Sequence, residues 1–211
     1  MGIAERKRIE KEELQRKILD AAGTILIEEG YRSLSIRKIA ARIEYSPGLI
    51  YHYFKDKAAI VTALVEQGYG RILQAIGTVP ADPADPVGTI RRTLIRYIEL
   101  VLESPLEYRA ILLNDIEEVR EKVGILDRGI SKRRKSMELL GGIIARAVQE
   151  AQFRPVEPEL AAQIIWTSTY GLLARLLLEP EIPPEQRERL LNQHLDILFY
   201  GLVARERVET K

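Results

Sequence analysis

Apolar residues recur along this chain at intervals of three and four, with no alternating stretch of any length, a pattern that predicts helices and no sheet. The first stripe, Leu14, Ile18, Ala21, Ala22, Ile25 and Leu26, predicts a helix over about 11–29 that Gly30 stops. The charged residues 1–10 are expected to fray, the alternative being a basic arm of Arg6, Lys7 and Arg8 that reaches phosphate. A second stripe, Ile36, Ile39, Ala40 and Ile43, follows Ser35, whose hydroxyl can cap it. Glu44 and Tyr45 make a turn. Ser46 and Pro47 then supply an N-cap and a first-turn proline, whose missing N–H costs nothing there. Ile50 and Phe54, four apart, point inward.

Further along, Asp56 can cap a helix that runs through Ile60, Leu64 and Ile72 to about Ile76. Residues 77–88 hold three prolines and must be a loop. Asp85-Pro86 opens a helix to about Glu103, and Ser104-Pro105 a shorter one ending near Asn114 or Asp115. Residues 116–152 are helix-rich with a break near Gly124 or Gly129, and Phe153–Pro155 is a break. Glu157-Pro158 begins a helix to about Glu179, and the last runs from about Pro184 to Ala204. The fold class is all-α, about nine helices, with no internal repeat.

Residues 33–57 are the most informative. They predict two short helices and a tight turn, the layout of a helix-turn-helix, in which one helix packs on the body and the other enters the DNA major groove. Gly48, Leu49, Tyr51, His52 and Tyr53 fall on flanks that cannot all be buried. Between 32 and 57 there are six basic residues (Arg32, Arg37, Lys38, Arg42, Lys55, Lys57) against two acidic, a local +4 in a chain of net charge +1. Positive charge is therefore concentrated where phosphates would lie.

The long first helix ending at Gly30-Tyr31, the string SIRKIAARI and the string SPGLIYHYFKDKAAI together resemble the DNA-binding domain of the TetR family (TetR/AcrR type) of bacterial transcriptional regulators. The most specific element is YHYF-x-x-K, Tyr51 to Lys57, after Ser46-Pro47-Gly48. The likeness covers about residues 11–60; the remainder is similar only in being helical and of suitable length. Glu44 departs from the pattern, standing where the family usually has glycine.

The resemblance implies a helix-turn-helix DNA-binding domain over 1–56 and a helical effector-binding and dimerisation domain over 57–211. It implies a homodimeric, ligand-responsive repressor that binds an inverted-repeat operator in double-stranded DNA and is released by a small-molecule effector. On the family motif, Arg37 and the Gly48–Leu49 edge sit where bases are read, and Ser35, Ser46, Tyr51, Tyr53 and Lys57 where phosphates are held. Tyr97, Tyr108, Met137, Trp166 and Tyr170 would line the effector cavity, suited to a lipophilic or aromatic ligand, though any one of them reads more readily as ordinary core. The last two helices are the most apolar. They carry the pairs Tyr170-Gly171 and Tyr200-Gly201, whose glycines would permit close helix approach, and the dimer interface would include Gly171, Arg175, Leu198, Gly201 and Leu202. A helical ligand-binding or protein-interaction module without operator binding is the alternative.

Composition narrows the rest. The chain has 211 residues, 46% hydrophobic and 30% charged, enough for a core and for solubility. It has no cysteine, so no disulfide framework and no thiol nucleophile. The N-terminal stretch lacks the apolar segment of a secretory signal, and no apolar run approaches the roughly 20 residues of a membrane span. The location is expected to be the cytoplasm. His52 and His194 lack metal-ligand spacing, and no phosphate-cradling loop or nucleophile elbow occurs, so neither metal, cofactor nor catalysis is expected. Arg91, Arg92, Arg96 and Arg109 read as solvent-facing charge, and Lys132–Lys135 as an exposed helical face with local ion pairs.

Overall fold

Helix-capping side chains set where the elements begin. In the computed structural model, which describes residues 2–112 and 124–203, the Lys38 amide donates to Ser35 Oγ at 3.2 Å and the Leu49 amide to Ser46 Oγ at 3.3 Å. Asp56 accepts from the Ala59 amide at 2.8 Å, and Asp85 from the Gly88 amide at 2.7 Å. Each cap satisfies a donor that the first helical turn leaves open. The helices are α1 (Ile3–Glu29), α2 (Ile36–Arg42), α3 (Pro47–Tyr51), α4 (Lys57–Gly77), α5 (Pro86–Glu103), α6 (Pro105–Leu112), α7 (Lys135–Gln149), α8 (Pro158–Leu178) and α9 (Pro184–Tyr200). The described residues thus form nine α-helices, and the fold is all-α. Strand-like pairing among them is confined to one isolated antiparallel bridge between Phe153 and Val203.

Two expectations differ from what is seen. Helix α1 begins at Ile3, eight residues before the expected start at residue 11. The extra turns carry no apolar stripe; they are laced by Arg6–Glu10 at 3.1 Å, Arg8–Glu12 at 3.0 Å and Arg8–Glu5 at 3.4 Å. Such exposed pairs each add about 0.2–0.5 kcal/mol to a helix. The run Lys132–Lys135 is not a helical face. A 3₁₀ turn, Ile130–Lys132, follows Gly129 at φ 77°, and α7 starts only at Lys135. The expected local pairs are present there, Arg133–Asp127 at 3.1 Å and Lys135–Glu138 at 3.0 Å. The expected end of the short helix near Asn114 or Asp115, and the stretch 116–123, lie outside the described residues.

The chain packs as two compact units. One is built from the residues up to Arg71 with the stretch beginning at Ser104; the other from Ile72–Glu103 with the stretch beginning at Gly124. The units part within α4, whereas the sequence division at 56/57 separates the helix-turn-helix from that helix.

In the first unit Ile18, Ala22 and Ile25 of α1 are buried together with Ile36 and Ile39 of α2, Ile50 and Phe54 around α3, and Ile60, Val61 and Val65 of α4. Burying each such aliphatic side chain is worth about 1.5–3 kcal/mol. This core holds a five-residue α3 that could not stand alone. In the second unit α8 packs against α5, α7 and α9. Its centre is Ile90, Leu94 and Tyr97 of α5, Ile144 of α7, Ile165 and Leu173 of α8, and Leu195 of α9. At the start of α8, Glu159 accepts from the Gly129 amide at 2.6 Å and the Ser131 amide at 2.9 Å, and Gln163 Nε2 donates to the carbonyls of Ile125 and Asp127. The first two turns of α8 thereby fix the irregular segment 125–131.

Candidate nucleic-acid interface

The turn between α2 and α3 decides where the recognition surface lies. Helix α2 ends in a Schellman motif: the Tyr45 amide donates to the Ala40 carbonyl at 3.0 Å and the Glu44 amide to the Ala41 carbonyl at 3.4 Å. Closing it requires a left-handed residue after the C-cap, and that residue is Glu44, at φ 61°. The family pattern has glycine there for the reason this geometry makes plain. Glu44 adopts the same backbone at a steric cost and leaves its carboxylate exposed.

Beyond the turn, Ser46 caps α3 and Pro47 occupies its first position. Ile50 is fully buried and Phe54 nearly so. Tyr51 is 58% exposed and His52 also exposed, while Leu49 and Tyr53 are half-buried. A Cβ built at Gly48 would meet only Ser46 Oγ, at 3.9 Å, so nothing inside the chain requires glycine there. Arg37 is exposed on α2 and makes no ion pair among the described residues. The Ser35 and Ser46 hydroxyls accept backbone amides, yet each retains its own proton to donate.

Charge is distributed less freely than the sequence window suggests. Lys38 pairs with Glu29, and Arg42 with Glu28 at 3.0 Å, both acids lying at the end of α1. Lys57 sits 4.2 Å from the Tyr31 ring centroid and donates to the Tyr31 carbonyl at 3.5 Å. Two of the six cations are therefore answered by carboxylates from outside the segment, and Lys57 is held at a fixed position. These partners are tertiary and had no signal in the local count.

The proposed effector residues fall in both units. Tyr108 belongs to the first unit; Tyr97, Met137, Trp166 and Tyr170 belong to the second. Tyr97 and Trp166 stack, with centroids 4.9 Å apart and planes at 15°, and both are buried. Met137 is fully buried. Tyr170 is half-buried, and burial pushes its phenol above the ordinary range. Close by on α8, Thr169 Oγ1 donates to the Ile165 carbonyl at 2.8 Å and lies 3.1 Å from His194 Nε2. Burial lowers the His194 pKa. The arginines of α5 are engaged: Arg91 with Asp196, Arg92 with Asp85 at 3.3 Å, and Arg96 with Glu103 at 3.3 Å.

Of the proposed interface residues, Gly171, Arg175 and Gly201 are positioned toward solvent and Leu198 is half-buried. Leu202 is buried in its own chain, leaving it little surface to offer a partner. A Cβ at Gly171 would meet nothing within 4 Å, so no helix among the described residues packs closely on it. Sequence reasoning missed Leu160, Ile164, Ile197 and Tyr200, all more than half exposed. Leu160, Ile164, Gly171 and Leu178 follow one another at 4, 7 and 7 residues, a one-face spacing legible beforehand. Leu160 and Ile164, with Ile197, Leu198 and Gly201, border an open apolar groove of about 500 Å³.

Among the described residues no group of His, Asp and Glu could hold a metal ion, and no helix is long and apolar enough to cross a membrane. The site and fold define a helix-turn-helix DNA-binding regulator. Residues 18–64 match the model of "Bacterial regulatory proteins, tetR family". The regulator UidR of Escherichia coli K12 is 23% identical over 196 residues, covering 92% of this chain and 95% of its own. TtgR of Pseudomonas putida is 26% identical over 195 residues, covering 85% and 87%. The SmeT–triclosan complex, SmeT being the repressor of the Stenotrophomonas maltophilia multidrug efflux pump SmeDEF, superposes with a TM-score of 0.66 at 24% identity, covering 90% of this chain and 91% of that one. The chain thus carries a tetR-family domain at residues 18–64, and over most of its length it is similar to proteins named as transcriptional regulators.

Proposed function

We propose that two copies of this chain bind an inverted-repeat operator through the helix-turn-helix domain and the adjoining Lys57, and that a small molecule held in the remainder releases it, making the protein a cytoplasmic repressor. One observation carries the DNA reading: Gly48 faces open space at the start of a short, capped helix beside exposed Arg37 and Tyr51. A glycine with no internal reason suits a surface that something must approach closely. Arg37 and Leu49 would read base edges; Ser35, Ser46, Tyr51, Tyr53 and Lys57 would hold phosphates.

Pairing is supported by the exposed apolar face of α8 and α9, since a lone recognition helix reads few base pairs and operators present half-sites about 34–36 Å apart. The stacked Tyr97 and Trp166 with Met137 make a lipophilic or aromatic effector the fitting class, consistent with the triclosan that SmeT takes.

Fluorescence anisotropy with the duplex upstream of the chain's own coding sequence tests this. Tyr51→Ala should weaken binding to every duplex, whereas Arg37→Ala should relax preference at one base pair. Equal losses on every DNA from both changes would refute that division. No salt-dependent binding of any duplex by the wild type would favour a ligand-binding module without operator binding.

A further inference from the structure

Beside the helix-turn-helix runs a second basic surface, on the part of α1 that leads into its apolar stripe. Lys7, Lys11 and Lys17, with Leu14 between them, border an open groove whose opposite wall is Tyr45 and Tyr53. Its volume is about 500 Å³. Arg6 and Arg8 of the same turns are engaged by Glu10, Glu5 and Glu12. Lys7, Lys11 and Lys17 make no ion pair among the described residues. Glu10 and Glu13 also border the groove, but Glu10 is already held by Arg6. Three ammonium groups thus face one uncommitted carboxylate.

We propose that this groove seats the sugar–phosphate backbone of duplex DNA flanking the segment that α3 reads. The inference rests on the DNA-binding reading above and adds α1 to the surface that meets DNA. Two features favour a nucleic-acid backbone. The groove is continuous with the recognition surface through Tyr53, and its tyrosine hydroxyls can donate to phosphate oxygens. Lys7 to Lys17 spans about 15 Å of helix axis, long enough to follow several charges of one strand spaced about 3.4 Å apart. It also answers a shortfall, because Lys38 and Arg42 of α2 are occupied by Glu29 and Glu28.

The test is the salt dependence of binding to the upstream duplex and to an unrelated duplex, for the wild type and for Lys7→Gln/Lys11→Gln/Lys17→Gln. The slope of log K against log salt should become shallower by about 0.9 for each phosphate no longer neutralised. Low-salt affinity should fall at least about tenfold on both duplexes, a sequence-independent loss that leaves their ratio unchanged. Glu13→Gln should move affinity the other way. A triple variant with wild-type helicity and a wild-type slope would overturn the proposal; if it loses helicity, Lys11→Gln alone is read against the same criterion. A wild type that binds no duplex fails in its own arm and removes the DNA reading along with this one.

Discussion

Glu44 takes a backbone conformation that a side chain makes costly. For an L-residue the left-handed region costs roughly 1–2 kcal/mol, and glycine's extra chain entropy returns about 0.5–1 of that. Glu44→Gly should therefore raise stability by up to about 1 kcal/mol, seen as a higher urea midpoint, and should strengthen binding to all DNA by removing an acid near it. Ala151, at φ 57°, closes α7 in the same way, with the Gln152 amide donating to the Ala147 carbonyl at 2.9 Å. Ala151→Gly should stabilise by a similar amount and leave DNA binding alone. Gly48 is the converse. Its added methyl meets nothing closer than 3.9 Å, so Gly48→Ala should keep the unfolding midpoint while weakening operator binding about tenfold, near 1.4 kcal/mol. A variant that loses stability and binding together would show Gly48 to be a packing residue.

Among the elements, those governed by neighbouring residues were legible and those governed by distant ones were not. The caps at Ser35, Ser46, Asp56 and Asp85 act over three residues, so the sequence alone places them, and all four form. The pairing of Lys38 and Arg42 with Glu29 and Glu28 depends on how α1 crosses α2, which no window contains. The early start of α1 was missed for another reason: ion pairs leave no apolar period to detect. Removing the Ser46 cap should cost about 1 kcal/mol, typical of such losses, and Ser46→Ala should show it in chemical denaturation. The start of α8 carries a pH dependence. The Ser131 amide foremost, with the Gly129 amide, holds the Glu159 carboxyl below its ordinary range. Its contribution is complete above the unfolded carboxylate pKa and is lost as pH falls through the folded one. Glu159→Gln should therefore flatten the acid limb of the stability profile below about pH 4.5, and the wild type's advantage over it should be greatest above that pH.

For the whole molecule the question is what covers α8. Ala162, Ile165, Trp166, Leu173 and Leu177 are buried within the chain, yet Leu160 and Ile164 stand out on another side, with Ile197 and Tyr200 of α9 also exposed. A sequence pattern apolar nearly all round could not say which side its own chain would cover, and this is why the interface residues proposed from sequence included the buried Leu202. On the proposed pairing, a two-fold pair of α8–α9 hairpins would bury this apolar surface against itself. Ile164→Glu with Ile197→Glu places like charges in that interface and touches no residue of the internal core. The double variant should keep its helicity yet sediment as a monomer at micromolar concentration. Its operator affinity should fall about a hundredfold or more, because the second half-site is no longer bound at the effective concentration that tethering provides. Binding to a single half-site should be nearly unchanged. That contrast separates a dimerisation surface from a folding defect, which would reduce both. It also bears on release: an effector lowers operator affinity only if it binds better to an arrangement whose half-site spacing is wrong. A monomer has no spacing to alter, so in the double variant the effector should leave half-site binding untouched.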